Sequence, residues 1–312
     1  MALGISRYVD IGQHTQCTIP LTFASLNTVF TILMADSNAA DRAAGHKTLG
    51  QKKRTKQMTL QYHLQLNEGD VGRYVLLPGD PARCARIAEF FDSPQQVAQN
   101  REYTTFSGSL NGEKVSVTST GIGCPSTAIA VEELIKIGAD TFIRVGTSGG
   151  IQPGTQTGDI AIVTGAIRDE GTTRQYLPIE FPALADPEIV LALRQSALEL
   201  GFPFRVGVTH SKDSFYGEVE PDRQPLSSQL TQRWQAWRAA GAICSEMEAS
   251  ALFILASLHS KRAGGVMTMV AENEGLPTDQ EGKQLFHGDR AIRTAIDAVK
   301  RLIEKDQCAA TG

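Results

Sequence analysis

The sequence shows little sign of a secreted, metal-stabilised or nucleic-acid-binding protein. Its five cysteines are odd in number, widely spaced and free of any Cys-x-x-Cys pair, which predicts reduced thiols and no zinc site. The formal net charge is only −4, so the chain as a whole does not attract nucleic acid or an anionic membrane. We therefore expect a cytoplasmic protein with neither nucleic acid nor a membrane as partner.

The N-terminal region lacks an unbroken apolar run. Residues 17–35 are apolar, but Pro20 and Asn27 interrupt them and threonine is frequent. A signal sequence or membrane anchor is one interpretation; we favour a poorly ordered extension over residues 1–57 that is not part of the mature protein. Compact patterning starts directly after Met58. We therefore predict one functional domain over residues 58–306, followed by a C-terminal tail over residues 307–312.

Strand-like and helix-like segments alternate through this domain, without an internal repeat. Short apolar runs end in glycine or proline turns, as in YVLLPG and DIAIVTGAI, and are typical of buried strands. Apolar residues recur at helical spacing in DPARCARIAEFF, PSTAIAVEELIKIG and PEIVLALRQSALELG. Further helices are predicted at Ser227–Ala240, Glu248–Ser257 and Asp279–Ile303. The alternation predicts an α/β domain with helices on both faces of a central sheet.

Glycine-rich turns follow two of these strands, and each has an arginine beside it. Gly79 lies four residues before Arg83 in PGDPAR, and Arg144 precedes the glycines of RVGTSGG. A third arginine, Arg101, stands in the polar stretch QNREYTTF. Any one of these is equally typical of an ordinary turn or a solvated side chain. Together, at the strand ends where α/β proteins bind ligands, they predict a phosphate site.

The sequence has no G-x-x-x-x-G-K-[ST] loop. Such a loop is the usual cradle for the phosphates of a nucleoside triphosphate. A nucleoside triphosphate is therefore not the expected ligand of the predicted phosphate site.

Two carboxylates flank a methionine in ICSEMEASALFILA, just before an almost uncharged helical run. These are Glu246 and Glu248 around Met247. A buried carboxylate is destabilising unless it is paired or hydrogen-bonded. The pattern therefore indicates either a ligand or a favourable interaction of Glu248 with the first turn of the following helix.

Seven collinear motifs resemble the uridine phosphorylase branch of the nucleoside phosphorylase family, and they extend over nearly all of residues 60–305. They are PGDPAR, REYTTFSG, STGIGCPSTAIAVEEL, RVGTSGGIQP, EFPALAD, DSFYG and SEMEASAL. The resemblance implies an αβα sandwich of three layers built on a mixed, partly barrel-like sheet. It also implies reversible phosphorolysis of uridine to uracil and ribose 1-phosphate in pyrimidine salvage, with inorganic phosphate as co-substrate and no required cofactor.

The resemblance further implies which residues contact phosphate and ribose. Gly79, Arg83, Arg144 and Thr147 would hold the phosphate, and Arg101 would reach it from a neighbouring subunit.

The ribose contacts follow from the same motifs. Glu248 would accept hydrogen bonds from the 2′ and 3′ hydroxyls, with Met247 packed against the sugar. His63, in QYHLQL, would approach the 5′-hydroxyl from the neighbouring subunit.

Since two residues are shared between subunits, the resemblance implies a homo-oligomer, either a dimer or a hexamer of dimers. It also implies a structural cation at the subunit interface, held at Glu102, Ile122 and Ser126. A buried salt bridge or a solvated glutamate is the alternative explanation of Glu102.

The base pocket is where the sequence departs from this branch. Well-known bacterial members follow their Phe-Tyr pair with a Gln-x-Arg element that reads uracil, whereas Val219 and Pro221 stand at those places here. The resemblance still places four residues near the base: Phe215, Ser148, Gly149 and Glu246. The missing donors could come from two other pairs, which are Arg174 with Gln175 and Arg223 with Gln224.

Two other functions stay open on the sequence alone. A purine-specific or broad-specificity phosphorylase is the first, because Glu272 lies near the position of the purine-protonating acid in purine-specific relatives. A non-catalytic nucleoside-binding or storage protein of the same fold is the second. Such a protein would not need Arg83, Arg101 and Arg144 together, so it is disfavoured.

Overall fold

The computed structural model of the protein describes residues 60–271 and 288–311. The expectations for residues 1–57, for Met58 as the start of the domain and for Glu272 lie outside the described residues. Within the described part, no helix combines the length and the apolar character needed to cross a bilayer.

One mixed sheet organises the described residues. Its ten strands are Tyr74–Leu77 (β1), Asp92–Asn100 (β2), Tyr103–Leu110 (β3), Glu113–Thr118 (β4), Thr141–Gly150 (β5), Ile160–Asp169 (β6), Ala183–Leu184 (β7), Phe204–Lys212 (β8), Cys244–Glu246 (β9) and Arg262–Ala271 (β10). Strands β4, β1, β5 and β10 are parallel neighbours. Their carboxyl ends therefore meet at one edge of the sheet, where α/β proteins bind their ligands.

Seven α-helices accompany the sheet in the described residues. They are Ala82–Ala88 (α1), Cys124–Lys136 (α2), Pro187–Glu199 (α3), Phe215–Val219 (α4), Ser227–Ala239 (α5), Ala249–Leu258 (α6) and Gly288–Thr311 (α7). The start of α3 shows how local sequence sets these bounds: the Asp186 carboxylate accepts from the N–H groups of Glu188 and Ile189, and Pro187 occupies the first turn.

Half of the sheet closes into a barrel. Strands follow the order β10-β6-β8-β9-β5, and β10 also pairs with β5, so these five strands form a ring. From β5 the sheet continues as an open surface through β1, β4, β3 and β2. The expectation of a mixed, partly barrel-like sheet is confirmed.

Two apolar cores lie on the two faces of the sheet. One core includes Val131 and Leu134 of α2 together with Leu252 and Phe253 of α6. The other is formed by α1, α3 and α7, for example by Ile87, Ile189, Leu193, Ile296 and Val299. Helices thus cover both faces, which confirms the predicted three-layer αβα arrangement.

Two parts of the fold differ from the sequence-based expectation. The stretch around Arg101 is the turn of a hairpin between β2 and β3, and Arg101 itself takes a left-handed backbone conformation with φ 53°. The pattern missed this hairpin because β2 is polar and largely exposed. The last helix runs to Thr311 rather than ending at Ile303, so residues 307–311, expected as a C-terminal tail, continue the helix.

Candidate active site

The turns after β1 and β4 lie side by side at the carboxyl edge of the sheet. The N–H groups of Thr120 and Gly121 donate to the carbonyl oxygens of Pro78 and Gly79 at 2.9 Å and 3.0 Å. Leu77, the last residue of β1, is in register with Arg144 of β5. Because β5 continues to Gly150, its second half extends beyond the end of β1 and forms one wall of the candidate site.

Arg144 is the buried cation of this site. Its Nε lies 2.9 Å from Oε2 of Glu246, and its Nη2 pairs with Glu248. Burial alone would lower the pKa of Arg144, but the carboxylates of Glu248 and Glu246 raise it above its ordinary value. Its Nη1 is buried and has no hydrogen-bond acceptor among the described residues. A buried donor without an acceptor is destabilising, and an acceptor supplied by a ligand would remove this destabilisation.

Gly146 makes room for this guanidinium. A Cβ at Gly146 would lie 3.2 Å from Cζ of Arg144 and 3.0 Å from Cγ of Met267. A larger residue would therefore have to displace Arg144 or Met267. Steric room for Arg144 and Met267 therefore explains why the first glycine of RVGTSGG, Gly146, has no side chain.

A second arginine lies close enough to Arg144 to interact with its charge. Arg83, at the start of α1, is buried and donates from Nη1 to the carbonyl oxygen of Val145 at 3.3 Å. Burial lowers the pKa of Arg83, and the positive charge of Arg144 lowers it further. Two mutually repelling guanidinium groups at the end of β1 favour an anion between them.

The carboxylate of Glu248 is held by contacts with Gly123 and Arg144. The N–H of Gly123, before the first turn of α2, donates to Oε1 of Glu248 at 2.6 Å, and Arg144 engages Oε2. Burial and the charge of Glu246 raise the pKa of Glu248, while Arg144 opposes that rise. A carboxylate has about four lone-pair sites, so Glu248 can still accept from hydroxyl groups. Met247 beside it is half-buried.

Glu246 has a different set of contacts. Its Oε2 accepts from the N–H groups of Glu248 and Ala249 at 2.8 Å and 2.9 Å, and its Oε1 accepts from Oγ of Ser211. The carboxylate therefore holds the start of α6 and thereby positions Glu248. Its expected place at the edge of the base pocket stays a prediction.

The two residues expected to reach a neighbouring subunit lie together on one surface. Nδ1 of His63 is 2.6 Å from Oε1 of Glu133, and the side chain of Asn100 donates to the carbonyl oxygen of His63 at 2.7 Å. Asn100 directly precedes Arg101, which is exposed. The geometry is therefore compatible with one patch that supplies both residues.

The three residues expected at an interface cation also lie together. Oγ of Ser126 donates to the carbonyl oxygen of Ile122 at 3.2 Å. A Cβ at Gly121 would come within 2.8 Å of Cγ of Glu102 and 3.3 Å of that same Oγ. Carboxylate, carbonyl and hydroxyl oxygens suit a hard cation. Within the described ranges, no group of three or more His, Cys, Asp or Glu side chains is arranged so that it could hold a metal ion.

The residues expected around the base lie beside β5 and α4. Thr147 and Gly149 are half-buried and Ser148 is buried, because successive side chains of a strand face opposite sides. Phe215 opens α4 and is 40% exposed, with Tyr216 packed edge-on at a ring distance of 5.4 Å. Thr147, Gly149 and Phe215 are therefore accessible to a ligand.

The structure does not bring the four expected base-reading side chains together. Arg223 is exposed and pairs with Glu220 on the surface, beside Gln224. Arg174 and Gln175 lie in an exposed 3₁₀ turn. Arg174 lines a cavity of ≈ 360 Å³ with Phe181 and Trp237.

Sequence reasoning missed a buried polar cluster at the end of β8, formed by His210, Lys212, Glu218 and Ser245. His210 lies 3.1 Å from Oε2 of Glu218, and Lys212 donates to Oε1 of Glu218 at 2.9 Å and to Oγ of Ser245 at 2.6 Å. Asp169 of β6 completes it at 3.0 Å from His210. The available signal was THSKD, in which basic residues alternate at the end of an apolar strand.

Charge interactions tie this cluster together. Burial alone would lower the pKa of His210, but Asp169 and Glu218 raise it above its ordinary value. Burial alone would raise the pKa of Glu218, but His210 and Lys212 hold it below the usual range. The cluster is therefore a set of mutually dependent charges.

Comparison with known proteins adds independent information. A sequence profile of the phosphorylase superfamily matches residues 73–304. The chain is 48% identical to uridine phosphorylase from Treponema pallidum, over 79% of this chain and 95% of the relative. It is 45% identical to uridine phosphorylase from Thermococcus kodakarensis, over 80% and 88% of the two chains. It is also 39% identical to guanosine phosphorylase from Halorubrum lacusprofundi, over 78% and 100%.

Proposed function

Since the chain belongs to the phosphorylase superfamily and is a nucleoside phosphorylase, a pentosyltransferase, we propose that it transfers the ribosyl group of uridine to inorganic phosphate. The observation that supports this most directly is the buried Nη1 of Arg144, which lacks an acceptor in the described part of the chain. A phosphate oxygen between Arg144 and Arg83 would satisfy that donor and relieve the repulsion of the two charges. Gly79 and Thr147 would add donors beside it.

The chain then supplies no nucleophile of its own, because phosphate is the nucleophile. A phosphate oxygen forms a bond to C1′ as the bond from C1′ to the base nitrogen breaks, and the electron pair of the breaking bond leaves with the base. The ribose becomes oxocarbenium-like during this step, as in glycoside cleavage. Glu248 would hold the 2′ and 3′ hydroxyls with Met247 against the sugar, so that C1′ lies over the phosphate.

The proposed site is completed by a second copy of the chain. His63 and Arg101 share one surface patch, and Arg101 is exposed there. In a homo-oligomer, Arg101 would reach the phosphate of the partner and His63 the 5′-hydroxyl. A hard cation would be held by Glu102, Ile122 and Ser126 as a structural ion. No cofactor enters the proposed reaction, which would serve pyrimidine salvage in the cytoplasm.

The test is base release from a panel of nucleosides with and without inorganic phosphate. We expect uracil release from uridine to depend on phosphate and to yield one ribose 1-phosphate per uracil. Phosphate-independent release of uracil would indicate hydrolysis and would contradict the proposal. The absence of any reaction with every nucleoside of the panel would instead favour a binding protein.

A purine nucleoside is the second candidate, favoured by the guanosine phosphorylase relative at 39% identity and by the absence of a Gln-x-Arg element. The uridine phosphorylase relatives at 48% and 45% identity favour uridine. Faster cleavage of guanosine or inosine than of uridine in the same panel would decide for the purine.

A further inference from the structure

Register places the cluster at the end of β8 next to the wall formed by β5. Strand β9 lies between these two strands: Ser245 is in register with Gly149 of β5 on one side and with His210 of β8 on the other. Residues in register share one face of a sheet, and so do residues two apart on one strand. Gly149, Ser245, His210 and Lys212 therefore lie along the same face.

This face has open space beside the cluster. A Cβ built on Gly149 would meet no heavy atom within 4 Å. The helix that follows β8 begins with the accessible Phe215 and carries Glu218 one turn later. A planar group placed over Gly149 would thus have an aromatic ring available for packing and the Lys212 ammonium near its rim.

The ammonium of Lys212 has one donor more than the protein uses. It donates to Glu218 at 2.9 Å and to Ser245 at 2.6 Å. These two residues are its acceptors in the ranges 60–271 and 288–311. An ammonium, however, carries three N–H groups. Its side chain is 8% exposed. Glu218 and Ser245 hold the ammonium in place, and a third N–H is left for an acceptor from outside the chain.

We propose that Lys212 contacts the base, donating a charged hydrogen bond to a carbonyl oxygen of the uracil ring, with Glu218 and Ser245 as positioning residues. The inference rests on the proposed function, because uridine is taken as the substrate. It replaces the Arg174, Gln175, Arg223 and Gln224 expectations with a side chain that the fold places on the face of Gly149.

Such a contact strengthens during the reaction. The electron pair of the breaking bond to C1′ is delocalised onto the carbonyl oxygens of the leaving uracil, so these oxygens gain negative charge in the transition state. A fixed cation at that position stabilises the transition state more than the bound substrate. Lys212 thereby helps the base leave as well as selecting a base that has a carbonyl group at this position.

The charges around Lys212 suit this role better than a purely structural one. An ion pair buried only to hold the fold is often no better than apolar packing of the same size, because both charges lose hydration. His210 lies on the other carboxylate oxygen of Glu218, and Asp169 lies behind His210. These contacts fix the orientation of Glu218, and Glu218 fixes the ammonium.

The test compares Lys212→Met with a matched control, Lys305→Met, in the full-length protein. Lys305 also pairs with a glutamate, Glu188, but it is exposed on the outer surface formed by α3 and α7. We expect Lys212→Met to lower kcat/KM for uridine by about 10²-fold and to leave the KM for phosphate within about threefold. The control should stay within about threefold of wild type in both constants.

A structural defect is distinguished by the leaving group. Fluorine at C5 makes 5-fluorouracil a better leaving group, so 5-fluorouridine depends less on charge stabilisation at the carbonyl oxygens. We expect the loss of rate caused by Lys212→Met to be at least about fivefold smaller for the cleavage of 5-fluorouridine than for the cleavage of uridine. Equal losses for both nucleosides, or no loss for uridine, would overturn the proposal.

A second measurement uses only the wild-type enzyme and applies even if Lys212→Met does not fold. Sulfur accepts hydrogen bonds weakly, so 2-thiouridine or 4-thiouridine should react about tenfold more slowly than uridine, depending on which carbonyl faces Lys212. Equal rates for all three nucleosides would overturn the inference while leaving the proposed function intact. Failure of the wild type to release uracil from uridine would refute the proposed function itself, and the inference with it.

Discussion

At the scale of single residues, the candidate site depends on the contacts of the Arg144 guanidinium. Glu246 and Glu248 occupy two sides of its guanidinium, and Gly146 leaves space for it. The remaining donor, Nη1, is where an anion would gain most. The motif RVGTSGG indicated a phosphate site from the sequence, but it could not reveal which nitrogen of Arg144 is unpaired, because both carboxylates lie about a hundred positions further along the chain.

Arg144→Ala should weaken the use of phosphate. The loss of a charge-assisted bond in a desolvated site typically costs about 1.5 to 3 kcal/mol, which corresponds to roughly tenfold to a hundredfold in kcat/KM for phosphate. Steady-state kinetics with phosphate as the varied substrate measure it. Arg194→Ala, at an exposed position of α3, is the control. If both variants keep wild-type constants within about twofold, the phosphate lies elsewhere.

Glu248→Gln should affect the nucleoside instead. A neutral amide accepts weaker hydrogen bonds from the two ribose hydroxyls, so we expect a higher KM for uridine and about a tenfold lower kcat or more. A chemical denaturation curve separates this effect from instability, since the change also removes a partner of the buried Arg144. A variant of normal stability with unchanged uridine kinetics would argue against the ribose role.

Gly149→Val tests where the base lies. No atom within 4 Å would oppose a Cβ there and the backbone is an ordinary strand, so the thermal unfolding midpoint should change by a few degrees at most. The side chain would occupy the space next to Phe215 and Lys212. We expect the KM for uridine to rise about tenfold or more, with phosphate kinetics retained. Unchanged uridine kinetics would place the base on another surface.

At the scale of elements, the sequence predicted those strands and helices whose apolar side chains follow a regular pattern, and it missed elements without such a pattern. The apolar strands β1, β5 and β6 and the helices α2 and α3 were predictable because their patterns follow from packing on both sides. The polar strand β2 and the three-residue strand β9 carry no such pattern. The cluster around Lys212 joins side chains that are 33 and 41 positions apart in the chain, so only the paired strands reveal it.

The cluster that joins β6, β8, α4 and α5 should make stability depend on pH through His210. The imidazole of His210 contacts Asp169 of β6 and Glu218 of α4. Two cations lie next to these carboxylates: Lys212 of β8 pairs with Glu218, and Arg233 of α5 pairs with Asp169. Because the folded state raises the pKa of His210, its stabilising contribution is complete below the unfolded-state pKa of about 6.5 and is lost as the pH rises through the folded-state value.

We therefore expect His210→Asn to reduce the free energy of unfolding more at pH 6 than at pH 9. Urea denaturation of wild type and variant at both pH values measures the difference. At pH 6 the contributions of Asp169 and Glu218, whose pKa values are lowered, are still present, so they do not mask the effect. Asp169→Asn should reduce the same pH dependence. A loss that is larger at pH 9 would contradict the assignment.

At the scale of the whole molecule, the proposed sharing of His63 and Arg101 between subunits would make activity a property of an assembly of chains. Arg101→Ala and Glu248→Gln should each impair the enzyme, the first through the partner's site and the second through its own. In a mixed dimer, one of the two sites contains both substitutions and the other contains neither. Random mixing by co-expression should then restore about a quarter of wild-type activity. The measurement is specific activity of the mixed sample against each variant alone, and no recovery would place Arg101 outside the partner's site.

The way in which the sheet ends limits how such copies can meet. In the barrel half, β10 pairs with both β5 and β6, so the described strands form a closed ring, and the long open edge of the described sheet is β2. That edge carries Pro94, which has no N–H to donate, and its pairing with β3 is irregular at two points. Continuous growth of the sheet from molecule to molecule, the route to fibrous aggregates, is therefore opposed. The proposed association of copies would instead proceed through side-chain surfaces, which can be closed and finite.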